Sequence, residues 1–198
     1  MKTQASHSLL GILSLGAMSG YDIQKFVKEN LGHFWKESYG QIYPMLKQMA
    51  LQGLVEMRVE RNKDRPDRRV YSLTSAGRAE LEGWLTKPPV LPSPRNELLL
   101  KLFFGALGKE QDLLRHVEEF RTRQEASLRQ YSEIEHWLRR GQTRHPGLPY
   151  WLITLDYGRR QAQALLDWSE FTLLTLQRLA KASQTENQRK RKRGNKNS

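Results

Sequence analysis

The stretch Leu54–Leu73, LVEMRVERNKDRPDRRVYSL, decides the fold. Leu54 to Glu60 alternates apolar and polar residues, and Arg69 to Leu73 does the same. A period of two belongs to a strand with one face on a core. The spacing therefore predicts a two-stranded hairpin with a charged tip, Arg61 to Arg68, that contains Pro66. Every other patterned segment has helical period, so the chain reads as mostly α with one small β-hairpin.

Immediately upstream lies Ser38–Met49, SYGQIYPMLKQM, in which Ile42, Met45, Leu46 and Met49 share one side of a helix. The spacing predicts a helix from Ser38 to Gln52, with Gly53 supplying a left-handed C-cap. Pro44 has no N–H to give the Gly40 carbonyl, so regular α-helix is expected only from about Tyr43, making the helix short and shifted. Further back, Ser6–Leu15 is apolar nearly all round and reads as a buried helix that stops at Gly16. Ser19 followed by Asp22 is an acidic capping box for a helix from Gly20 to about Asn30, with Ile23, Phe26 and Val27 inward. Downstream of the hairpin, Thr74 caps a fourth helix carrying Leu81, Trp84 and Leu85.

Lys87–Pro94 holds four of the eight prolines and forms the clearest boundary. Beyond it the pattern is helical throughout. A short helix, Asn96–Leu107, precedes a long one from Lys109 to about Arg140, and a last helix runs from about Leu148 to Lys181. Two long helices with such broad apolar faces need a further surface to cover them, and a second copy of the chain supplies it, packed in coiled-coil fashion without a strict heptad. The segments are thus 1–86, a linker 87–94, a helical region 95–183, and a tail 184–198 whose composition predicts disorder.

The net charge of +12 is uneven. Residues 1–86 carry +3, 87–183 carry +4, and the last fifteen alone carry +5. A basic excess points to a polyanion, without choosing between nucleic acid and an anionic membrane. The chain has no cysteine, which removes disulfide and thiol chemistry. No run approaches the roughly 18 apolar residues of a membrane span, and the apolar N-terminus lacks a small-residue cleavage site. A cytoplasmic location is the simplest expectation.

Helix, helix, turn, helix, hairpin, helix is the order of a winged helix-turn-helix, in which the third helix enters the major groove and the hairpin reaches the adjacent backbone. The strings LLGILSLGAMSGYDIQKF, HFWKESYGQIYPMLKQMALQGLV and DRPDRRVYSLTSAGRAELEGWL resemble the N-terminal domain of PadR-type transcriptional regulators. PRNELLLKLFFG and the two long helices resemble the C-terminal domain of the branch with phenolic-acid-responsive repressors and virulence-gene activators. The resemblance implies a cytoplasmic, homodimeric regulator of double-stranded operator DNA, usually a repressor released by a small molecule, with no cofactor. The family's wing tip more often reads Gly-Arg-Pro-Asp where this chain has Asp64-Arg65-Pro66-Asp67.

On the third helix, hydroxyls such as Ser38's can donate to phosphates, Gln can bridge an adenine edge, and Lys can reach a phosphate or a guanine. The resemblance singles out Tyr39, Gln41, Tyr43 and Lys47; the competing role for either tyrosine is packing against the wing or the first helix. On the wing, placement beside DNA makes Arg65 and Arg68 phosphate contacts, while Asp67 is expected to pair with an arginine, because carboxylates repel phosphates. The resemblance also implies an effector pocket. Trp151 and Trp168 are the candidates to stack on a planar ligand there, against the commoner role of aromatic residues as core. The basic run Arg189–Arg193 can meet flanking DNA, an anionic membrane or neither.

No catalytic set assembles. His7, His33, His116, His136 and His145 show no metal-ligand spacing, and Gly105–Glu110 lacks the glycine spacing and hydroxyl of a phosphate loop. The rival reading is a winged-helix adaptor that contacts protein or a membrane surface, since fold does not dictate function. Polar donors on the third helix favour DNA.

Overall fold

The structure, a computed structural model, describes residues 4–32, 35, 39–61, 67–90, 95–142 and 144–194, leaving out the side chains of Tyr39 and of residues 183–194. The chain divides into two compact units, Met1–Pro92 and Ser93–Ser198. Among the described residues, no helix is long and apolar enough to cross a membrane.

The first unit is built of α1 (Gln4–Leu13), β1 (Met18–Ser19), α2 (Gly20–Phe26), α3 (Tyr39–Leu51), β2 (Val55–Glu60), β3 (Arg68–Leu73) and α4 (Ser75–Leu85). Its core is the apolar set expected from periodicity: Leu9, Leu10 and Leu13 of α1, Ile23 of α2, Val27 just beyond it, and Ile42, Leu46 and Met49 of α3. His7 is buried beside this core, with Nε2 3.0 Å from the Glu80 carboxylate and its ring stacked on Trp84 at 5.0 Å.

The sheet contains the expected two-stranded hairpin, β2 and β3, and adds a third strand to it. It has three strands in the order β1-β3-β2, all antiparallel, with Met18 opposite Tyr71 and Ser19 opposite Val70. A two-residue strand leaves no alternation to detect. It exists because the N-cap Ser19 is extended, φ −79° and ψ 163°, which lays the chain alongside β3. Flanked on both sides, β3 buries consecutive residues, Val70 and Tyr71, where simple alternation predicts only one.

Two helices also depart from expectation. The α-helical part of α2 ends at Phe26 and continues as a π turn, Val27–Leu31, rather than as α-helix to Asn30. In α3 the regular helix starts at Tyr39, not near Tyr43, so Pro44 lies inside it. A proline there removes one internal hydrogen bond, that to the Gly40 carbonyl. Gly40 is exposed, so water can take up the carbonyl and the helix keeps its full length.

Gly53 has φ +70°, the left-handed C-cap expected after α3. The Thr74 hydroxyl accepts from Gly77 N–H at 3.0 Å and donates to the Gly53 carbonyl at 2.7 Å, capping α4 and tying it to the start of the hairpin. That join is tight, because a Cβ on Gly77 would meet the Leu54 carbonyl oxygen at 2.0 Å.

The second unit holds α5 (Glu97–Phe103), a 3₁₀ turn at Gly105–Leu107, α6 (Glu110–Gly141) and α7 (Leu148–Gly194). The Asn96 side chain caps α5 by accepting from Leu99 N–H at 3.2 Å. Helices α6 and α7 pair antiparallel, with Phe120 edge-on to Trp168 and Tyr131 against Gly158. Their shared core includes Tyr131, Leu138, Leu155 and Ala162. The backbone of α7 stays helical to Gly194, so the segment 184–194, expected to be disordered, extends the helix instead. Gln, Glu, Lys and Arg dominate there and are good helix formers, and no proline intervenes.

Gly77→Ala should destabilise the first unit by ~3 kcal/mol, because the obstruction is backbone and cannot rotate away. Urea denaturation followed by circular dichroism measures this as a lowered midpoint; an unchanged midpoint would show that the α4 join can open without cost.

Candidate nucleic-acid interface

Helix α3 has two unlike faces. Ile42, Leu46 and Met49, spaced four and three residues apart, are 3%, 0% and 1% exposed and bind the helix to the core. Gln41, Tyr43, Lys47 and Gln48 are exposed. On a 3.6-residue helix Gly40, Tyr43, Pro44 and Lys47 fall along one outer stripe. Gly40 has open space around it, so this stripe offers a hydroxyl and an ammonium beside uncluttered backbone. Ser38 lies outside the described residues, and Tyr39 forms the first turn of the helix.

Tyr43 leans on α2, rather than on the wing or first helix expected from the sequence. Its ring rests on the first residue of α2, where a Cβ on Gly20 would come within 2.5 Å of the ring edge. The side chain is still 54% exposed. Glycine at position 20 thus lets the tyrosine lean on α2 and keep about half its surface free.

The wing is tied to the same corner. Asp22 completes the expected capping box: its Oδ2 accepts from the Ser19 N–H and from the Ser19 hydroxyl, each at 2.8 Å. The same oxygen accepts from the Arg68 guanidinium at the start of β3. Burial pushes the Asp22 carboxyl up, but the hydrogen bonds from Ser19 and Arg68 outweigh it and hold the group below its ordinary value of 3.8. Asp22, not Asp67, is therefore the carboxylate partner of Arg68. The guanidinium remains half-exposed, so one residue both braces the wing and faces outward.

Arg58 pairs with Glu60 along β2 at 3.0 Å. Among the described residues Arg61 and Arg69 are exposed cations without an acidic partner, as is Lys47. Arg61 and Arg69 are absent from the site set derived from sequence; the visible signal was their place in the same charge run. Arg65 lies outside the described residues.

Residues 9–83 match the Transcriptional regulator PadR-like family, and residues 94–177 match the Virulence activator alpha C-term family. The chain carries a PadR-like domain followed by a virulence-activator C-terminal domain. It is 36% identical to the negative transcriptional regulator PadR of Bacillus subtilis over 107 residues, an alignment covering 54% of this chain and 59% of that one. It is 28% identical to a probable transcriptional regulator of Mycobacterium tuberculosis over 182 residues, 86% of this chain and 96% of the other. The crystal structure of Bacillus subtilis PadR in complex with operator DNA superposes with a TM-score of 0.75 at 26% identity, covering 88% and 99% of the two chains. The same PadR is also known in complex with p-coumaric acid, TM-score 0.68 at 27% identity, covering 87% and 98%. The Vibrio cholerae virulence activator AphA matches with a TM-score of 0.68 at 28% identity over 88% and 98%. The family is one of regulators, not of enzymes.

The two tryptophans expected to meet an effector are both engaged in packing within the second unit. Trp151 stacks on His145 at 4.4 Å, and Trp168 meets Phe120 edge-on at 5.8 Å. A cavity of about 550 Å³ in the same unit is lined instead by Arg95, Lys101, His116, Phe120 and Arg123, among others. Among the described residues no group of His, Asp or Glu is arranged to hold a metal ion.

Because the folded-state pKa of Asp22 is depressed, its stabilising contribution is complete above the ordinary value and disappears as pH falls through the folded one. Asp22→Asn should remove that contribution. Thermal melts should place the variant below the parent at pH 6, with the gap closing as pH drops under 3.8. A gap that persists unchanged at pH 2 would assign the loss to something other than the carboxylate's charge.

Proposed function

We propose that this regulator binds operator DNA as a homodimer, with α3 in the major groove and the wing on the flanking backbone, and acts as a cytoplasmic repressor of a palindromic site. The observation that carries the proposal is the asymmetry of α3: an inner face sealed into the core and an outer face of Gln41, Tyr43 and Lys47, beside the uncompensated cations of the wing. Hydroxyl and amide donors suit base edges and phosphates, and cations suit phosphates alone. Ser38, Tyr39, Arg65 and Arg68 complete the proposed contact set. The complex of Bacillus subtilis PadR with operator DNA supports this reading by likeness.

In this reading residues 1–86 bind DNA, 87–94 link, and 95–183 dimerise and sense. Dimerisation is supported by the apolar surface that the second unit leaves exposed, including Leu99, Leu100, Phe103, Phe104 and Leu107 near α5 and Tyr150, Ile153, Tyr157, Phe171 and Leu174 on α7. Surfaces of that kind mark interfaces. A small aromatic acid is the proposed releasing effector, supported by the p-coumaric acid complex of the relative. Trp151 and Trp168 were the sequence candidates to hold it. The cavity lined by Phe120, Arg95, Lys101, His116 and Arg123 is a further candidate: Glu97 and Glu119 in the same lining pair with Lys101 and Arg123, which leaves Arg95 beside the ring as its cation for a carboxylate.

Titration of the chain against the DNA upstream of its own gene, with excess competitor DNA, tests the reading. Sequence-preferring binding is expected. Tyr43→Ala and Lys47→Ala should each weaken it by about tenfold, the low end of a good base or phosphate contact, while light scattering still reports a dimer. Unchanged affinity in both variants would move the reading surface off α3.

A further inference from the structure

The end of α7 is strongly basic in sequence. Phe120 faces Trp168 and Tyr131 faces Gly158, so the antiparallel register brings the start of α6 level with about Arg178. The helix continues to Gly194, past the last residue α6 can face. Arg189–Arg193 are five consecutive cations within that overhang, and from Ala182 to Ser198 the single acid is Glu186. The acids opening α6, Glu110 and Asp112, are level with α7 about eleven or more residues earlier. At 1.5 Å per residue that is ~16 Å, more than the Debye length of ~8 Å at physiological salt.

Like charges three and four residues apart on a helix repel, as Arg189 with Lys192 and with Arg193 must. A helix C-terminus welcomes cations in its last turn, but that turn does not account for five. The run is therefore a dense cationic stretch on a helical backbone, with Glu186 as its one nearby acid in sequence, and its chemistry suits an external polyanion.

We propose that Arg189–Arg193 form a second, sequence-independent DNA-binding arm that engages duplex phosphates outside the operator contacts of α3 and the wing. This rests on the DNA-binding reading above for the choice of polyanion. It assigns to the arm the salt-sensitive share of affinity and to α3 the sequence-dependent share. Counterion release gives the arm a defined signature: each phosphate it neutralises steepens the dependence of log Kd on log salt by about 0.9. Full engagement of five cations amounts to ~4.5, so a fourfold rise in salt would weaken the parent ~500-fold more than a chain lacking the arm.

The test compares the full chain with a variant carrying Arg189→Gln, Lys190→Gln, Arg191→Gln, Lys192→Gln and Arg193→Gln, which keeps helix-forming side chains and removes the charge. Both are titrated over a salt series against random-sequence duplex DNA and against the chain's own upstream region with competitor. The expected result is a slope on random duplex shallower by one unit or more, with sequence preference on the upstream DNA retained. Equal slopes overturn the arm. Equal slopes together with loss, in the variant, of sedimentation with phosphatidylserine vesicles would assign the run to lipid and also overturn it. Loss of sequence preference in the parent, with the slope difference intact, would instead sink the operator reading and leave the arm standing.

Discussion

One carboxylate oxygen organises a corner of the first unit where α2, β1 and the wing meet. Asp22 Oδ2 receives the Ser19 N–H, the Ser19 hydroxyl and the Arg68 guanidinium, and each donor belongs to a different requirement of the fold. The two from Ser19 satisfy the start of α2 and hold the N-cap extended, which is the geometry that lets Met18 and Ser19 pair with β3. The third fixes the strand from which the wing springs. Because all three meet at one atom, the start of α2, the short strand β1 and the wing move together. Tyr43 of α3 leans on Gly20, the next residue along, so the outer face of α3 is referenced to the same point. A partly exposed ion pair contributes little stability alone; its value here is positional.

Most of this was legible in the sequence because it is periodic. The core positions Ile42, Leu46 and Met49 follow from a 3.6-residue repeat, the wing from a two-residue repeat, and the caps at Ser19, Thr74 and Gly53 from residue types that tolerate few other uses. What escaped was non-periodic or non-local. Strand β1 is two residues long and is defined only by its partner, 53 and 51 positions away. The pairing of Arg68 with Asp22 spans 46 residues, a separation at which sequence offers no pairing signal; the acid considered there was Asp67, with an arginine left unspecified. Local rules misjudged α3 for a related reason: Pro44 was weighed by the bond it forfeits, and the cost is small where the orphaned carbonyl is exposed to water. In the tail, charge argued for disorder while helix propensity argued for continuity, and propensity governs the backbone through Gly194.

The distribution of ion pairs explains why a modest charge excess can act in selected places. Along α6 and α7, Asp112 pairs with Arg115, Glu118 with Arg121, Glu135 with Arg139, and Asp156 with both Arg159 and Arg160. The Asp156 carboxyl is held below its ordinary value chiefly by the hydrogen bonds from Arg160 and Arg159. Such exposed pairs add little to stability, yet they cancel the field of the helices that carry them. Among the described residues, Lys47 on the outer stripe of α3 and Arg61 and Arg69 of the wing are exposed cations without an acidic partner. Charge alone draws a duplex close without discriminating among sequences. Discrimination needs directional donors and acceptors, and on α3 those are Gln41 and Tyr43, set beside Lys47. An exposed surface in which neutral hydrogen-bonding groups stand near a single ammonium is suited to reading a duplex, and a uniformly cationic one only to holding it.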